Sequence, residues 1–159
     1  MAEINLLTLF VAALVTLPIG YVWYGLIFGK AWMAATGMTE EKAKNSNPAI
    51  IYGLSLLFSF FMAFILQFIV VHQWGVEGLV AGKLGKLPSY VAFAADYSNE
   101  FRTFGHGALH GFMTGIFFIF PIIAINALYE QKSWKYILIN SGYWTLCLLV
   151  MGGIICGWK

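Results

Sequence analysis

Charge is what this chain has least of. Only 10% of its 159 residues are Asp, Glu, Lys or Arg, where a soluble domain carries about 25%. Mean hydropathy is +0.79, and 60% of the residues are hydrophobic. A core of this size cannot hide so much apolar surface from water, so the surplus must face lipid. Net charge is only +2, and no basic run occurs, so nucleic acid is not an expected partner. Cysteine is scarce too. Cys147 and Cys156 stand nine positions apart on one expected helix, about 13 Å of rise, too far for a disulfide. No basic residue precedes Lys30, so the charged opening of a cleavable signal peptide is missing, and the first apolar run is expected to stay in the bilayer. Period-two alternation is absent, which argues against a membrane barrel. Phosphate loops and dinucleotide fingerprints are absent as well.

Long apolar runs are what remains. Crossing about 30 Å of hydrocarbon takes roughly 20 residues of helix. Four stretches are long enough, at residues 4–28, 50–71, 107–128 and 136–157. The expected fold is all-α: a polytopic membrane protein, a single domain over residues 1–159, four transmembrane helices in an up-down bundle. Aromatics make up 18% of the chain, as expected where rings sit at two interfaces. Tyr21, Trp23, Tyr24 and Trp32, at the end of the first run, read as such a lipid-anchoring belt. Pro18 and Pro121 predict kinks.

Between the runs, Thr39 reads as the cap of a short helix carrying Glu40 and Lys44, and Asn47-Pro48 as the start of span 2. The connector from Gly75 to Arg102 is the longest. Its apolar residues Val76, Leu79, Val80, Leu84 and Leu87 predict a short helix lying in the interface, broken at Pro88. A second short piece is expected over Tyr90–Ala95. Asp96, Ser98 and Asn99 offer caps for span 3. Glu130–Ser133 reads as a tight turn, which places Asn126 and Asn140 at similar depth for an interhelical hydrogen bond.

Four spans put both termini and the long connector on one side, with Lys83, Lys86, Arg102 and Lys159. Lys30, Lys42, Lys44, Lys132 and Lys135 fall in the shorter loops opposite, where the positive-inside rule counts most. The expected location is the bacterial inner membrane, multi-pass, with both termini periplasmic.

One stretch gathers the polar residues, Arg102 to Gly115. Arg102, His106 and His110 are four apart and share a helix face. Gly107, Gly111 and Gly115 line a neighbouring face, where another helix can approach closely. His72 ends span 2 on the same side of the membrane. Four uses compete for this corner. A bland polar cluster at a helix end is the first. A metal site is the second, with His106, His110 and His72 holding zinc or copper, although the Glu of a zincin-type motif is absent. An anion or lipid-headgroup site at Arg102, His106 and His110 is the third. Proton or solute passage is the fourth, and the apolar middle of every span counts against it. A haem between His72 and His110 ranks last. No cofactor is required by the sequence. Ser141 and Thr145 lack a partnered base, and Met62, Met113 and Met151 read as packing.

The ordered set Trp23-Tyr24, Phe28-Gly29-Lys30-Ala31-Trp32, Asn47-Pro48, His106 to Gly111, Pro121, Asn126, Glu130, Asn140, Gly142-Tyr143 and Gly152 resembles a family of small bacterial membrane proteins of unknown function (DUF seventeen-sixty-one). The resemblance covers almost the whole chain. It departs in the long connector and in Trp144, where the family pattern suggests a histidine. It implies four spans and no activity. The function expected from these features is a non-enzymatic membrane protein, working as a homo-oligomer or as an accessory subunit of a partner membrane protein. The alternative is a protein that handles a metal, an anion or a lipid headgroup at the Arg/His corner.

Overall fold

The structure, a computed structural model, describes residues 3–81 and 87–158. Among them are four helices long and apolar enough to cross a membrane: Leu6–Ile27, Pro48–Val70, Phe104–Tyr129 and Trp134–Gly157, here spans 1 to 4. Strands are absent from the described residues. The protein is an all-α membrane protein built on a four-span bundle. Lys83, Lys86 and Lys159, which entered the charge count, lie outside the described residues.

Span 4 is the axis of the bundle. Over half of its most apolar window is buried (56%), against 17–28% for the others. Its residues Tyr143, Cys147, Leu148, Met151 and Ile155 form the core with Leu9 and Ala12 of span 1 and Ala63, Leu66 and Val70 of span 2. Large apolar side chains elsewhere point outward, among them Leu6, Phe58, Ile65, Phe117 and Phe118. In water such a surface would be untenable; in lipid it is the expected one.

Spans 3 and 4 meet backbone to backbone. A Cβ added to Gly107 would strike the Gly152 carbonyl, and one on Gly111 the Leu148 carbonyl. One on Gly115 would lie 2.6 Å from the Cα of Thr145. The glycine row thus packs within the chain, and the helix that approaches it is span 4.

Local chemistry sets the helix ends. Asn5 caps span 1, its Oδ1 accepting from the Thr8 amide at 3.1 Å. Asn47 caps span 2 in the same way, with Pro48 in the first turn. Thr39 accepts from the Lys42 amide to open Glu40–Lys44. Ser133 caps span 4. Span 3 departs from expectation. Its cap is Thr103, accepting from the His106 amide at 3.2 Å, and not Asp96, Ser98 or Asn99. The chain breaks first at Phe101, where φ is +59°. The connector forms two short helices, Gln73–Leu79 and Pro88–Tyr97. Pro88 opens the second helix rather than ending the first, since a proline in the first turn forfeits no bond. The rest of the helix expected over residues 76–87 falls partly on residues 82–86, outside the described residues.

Two spans carry a wide π stretch, Tyr21–Ile27 in span 1 and Gly115–Ile119 in span 3. The second sits just before Pro121, whose missing N–H and bulky ring oppose regular α bonding. The first sits just after Pro18 and sets Trp23 and Tyr24 against span 4. Trp23 Nε1 donates to the Ile139 carbonyl at 3.0 Å, and the Tyr24 hydroxyl donates to Asn140 Oδ1 at 3.0 Å. Both rings are half-buried. These two aromatics are therefore interhelical clamps and not lipid anchors; Tyr21 stays exposed. Asn140 is taken by Tyr24 and donates to the Tyr136 carbonyl. Asn126 is exposed, so the expected Asn126–Asn140 bond gives way to a span 1–span 4 bond.

Candidate functional site

His72 lies two residues beyond the end of span 2, and His106 and His110 lie on the first two turns of span 3. The spans end side by side, so the three rings converge. His72 Nε2 and His106 Nε2 are 2.8 Å apart. Ring centroids are 4.9 Å apart for His72–His106 and His72–His110, and 4.5 Å for His106–His110. One ligand nitrogen from each residue lies within 4.8 Å of the other two. His72 is exposed and the other two are half-buried, so the group opens outward at one end of the bundle.

The 2.8 Å contact needs one N–H and one lone pair, so the two rings share a proton between facing nitrogens. Among the described residues it is the one hydrogen bond that these three rings make. The remaining ring nitrogens have no protein partner there and are open to water or a ligand.

Phe101 covers the cluster. Its ring stacks on His106 at 5.0 Å with 27° between planes, and meets His72 edge-on at 6.2 Å. The left-handed backbone at Phe101 is uncommon for a bulky residue and costs of order 1 kcal/mol or more. It turns the chain sharply enough to lay this ring on the histidines before Thr103 starts span 3. Cys156 braces the same corner. Its thiol lies 3.2 Å from the Val70 carbonyl and 3.3 Å from the Phe101 carbonyl. One buried side chain of span 4 thereby ties the segments leading to His72 and to Phe101.

Arg102 is placed elsewhere. Its Nε donates to the Cys156 carbonyl at 2.9 Å and its Nη2 to the Trp158 carbonyl at 2.8 Å. The guanidinium closes the C-terminus of span 4, where orphan carbonyls and the helix dipole favour a cation. The structure thus brings together His72, His106 and His110, and separates from them the arginine that sequence spacing puts on the same face. Phe101 and Cys156 carry no motif.

The family described as protein of unknown function (DUF1761) matches residues 7–156, and the chain belongs to this family. No curated protein matches the chain, and no solved structure matches it.

Proposed function

We propose that this membrane protein binds a transition-metal ion, zinc or copper, at one membrane face through His72, His106 and His110. The observation that carries the reading is the convergence of three imidazoles from two spans, with ligand atoms within 4.8 Å of one another. Imidazole suits both ions. A tetrahedral ion with Zn–N of 2.0–2.1 Å holds its donors about 3.4 Å apart. The 2.8 Å separation of the His72 and His106 nitrogens therefore opens by about half an ångström on loading, within reach of ring rotation at an exposed edge. Three neutral donors leave the ion its full charge and one open position for water or an anion. Such a site captures an ion and can hand it on.

The membrane in this reading is the bacterial inner membrane, with the histidine face and both termini periplasmic, on the strength of the lysines in the opposite short loops. A homo-oligomeric or accessory role draws no support from the glycine row, because span 4 packs on it.

The test is metal content and affinity for tag-free protein in mild detergent, wild type against His72→Ala, His106→Ala and His110→Ala. The expected result is about one zinc or copper ion per wild-type chain. Each variant should lose at least about 100-fold in affinity, beyond the 10–100-fold typical of outer-sphere changes. Binding should also weaken on acidification, as protons compete for the ring nitrogens. A wild type that takes up no more metal than these variants would sink the reading.

A further inference from the structure

A second polar recess lies on the same end of the bundle. Its enclosed part holds only about 30 Å³, and the rest of the space between its walls is open to the outside, so it can seat a group only at an open mouth. Its walls come from the start of span 1, the end of span 2 and the end of span 4, so it sits at the depth of lipid headgroups. Trp74 and Trp158 line it, as interfacial aromatics do.

Its polar groups are mostly donors with capacity to spare. Thr8 is 3% exposed and lines the recess, and its hydroxyl is buried without a partner. Leaving such a group unpaired is costly, and native structures rarely do so without a ligand or water. Asn5 commits its Oδ1 to capping span 1, which leaves its amide N–H groups beside the open N-terminus of a nine-residue helix. Arg102 gives two donors to neutral carbonyls and has others left. A guanidinium, an amide, a hydroxyl and a helix N-terminus together suit a phosphate. Two groups complicate a simple anion site. Glu3 brings a carboxylate to the wall. Gln67 spends its amide nitrogen on the Phe64 carbonyl, which leaves an acceptor oxygen. A ligand that satisfies both kinds of wall carries a phosphate and an ammonium.

We infer that this recess binds a phosphoethanolamine group, phosphate toward Arg102, Thr8 and Asn5, ammonium toward Glu3 and Gln67. The group belongs to a phosphatidylethanolamine of the surrounding leaflet. The recess is independent of the histidines and does not rest on the metal reading.

The experiment is native mass spectrometry of the full chain from nanodiscs of equimolar phosphatidylethanolamine, phosphatidylglycerol and phosphatidylcholine. One phosphatidylethanolamine should survive detergent stripping, favoured about tenfold over either competitor, as expected for a hydrogen bond to a charged group. Thr8→Val should lower its retention about tenfold, and Thr8→Ser should keep it. Glu3→Gln, at an exposed position, should erase the preference over phosphatidylglycerol and serves even if Thr8→Val does not fold. Soluble phosphoethanolamine at millimolar concentration should fail to displace the lipid. Displacement would overturn the lipid assignment in favour of a free phosphate monoester. Equal retention of all three lipids, unchanged by Thr8→Val and Glu3→Gln, would overturn the site itself and leave a water-filled recess.

Discussion

Two polar groups at opposite ends of the bundle, the aromatic pair that finishes span 1 and the histidine cluster, are treated differently. At the end where span 1 finishes, Trp23 and Tyr24 bond to Ile139 and Asn140. Deeper in the bundle, Tyr143 donates to the Thr16 carbonyl and Thr16 meets Ser59. Every one of these bonds joins two spans, and each polar group named here is used up by the protein. At the other end, three histidines lean on one another, and one hydrogen bond joins two of them, His72 and His106. The first arrangement is what holds helices together in lipid, where an unpaired polar group is costly. The second leaves donors unspent, and so has capacity for a ligand. Composition alone cannot separate them. What separates them is whether the hydrogen bonds close within the chain.

Breaking the frame common to both ends should have the largest effect. Gly111→Leu drives a side chain into the Leu148 carbonyl of span 4. Overpacking typically costs 1–3 kcal/mol, and here the obstacle is backbone. Loss of the folded monomer in detergent is expected, read as a collapse of the size-exclusion peak, and metal binding should go with it. A normally folded Gly111→Leu protein would mean that spans 3 and 4 do not touch along the glycines.

Removing ligands should strike one end only. His106→Ala with His110→Ala is expected to abolish measurable zinc binding by calorimetry, while the melting temperature of the metal-free protein stays within a few degrees of wild type. A large drop in metal-free stability would make the histidines structural and erase the contrast between the ends.

The converse change is smaller. Tyr24→Phe removes the bond to Asn140 and should cost about 0.6–2 kcal/mol, seen as a lower unfolding midpoint with metal affinity unchanged. Smallest is Phe101→Gly, which relieves the left-handed strain and removes the ring stacked on His106. Metal affinity should fall by roughly 2–10-fold, the worth of one aromatic contact, with stability nearly unaltered.

Four spans and the Asn47 cap of span 2 were legible in the sequence, because lipid demands long apolar runs and such a cap acts through neighbours in the chain. The convergence of His106 and His110 was legible from helix geometry, and that of His72 from counting spans. Other features depend on contacts between distant segments. Tyr24 and Asn140 are 116 positions apart, and nothing local distinguishes an interhelical clamp from a lipid anchor. Arg102 shares a helix phase with the histidines, but the helix begins only at Phe104. The phase therefore did not reach Arg102, and the C-terminus of span 4 claimed it. Span 3 opens at Thr103 rather than earlier because Phe101 interrupts the chain, a turn that its side chain does not announce.

X-ray absorption at the zinc edge, on tag-free wild-type protein loaded with one equivalent of zinc, reads the proposed ligand set itself. Three imidazole nitrogens at about 2.0–2.1 Å and one further light atom are expected, a pattern lost in the His72→Ala protein. Zinc that stays in the buffer, or that binds with an imidazole-poor shell unchanged by His72→Ala, would contradict it.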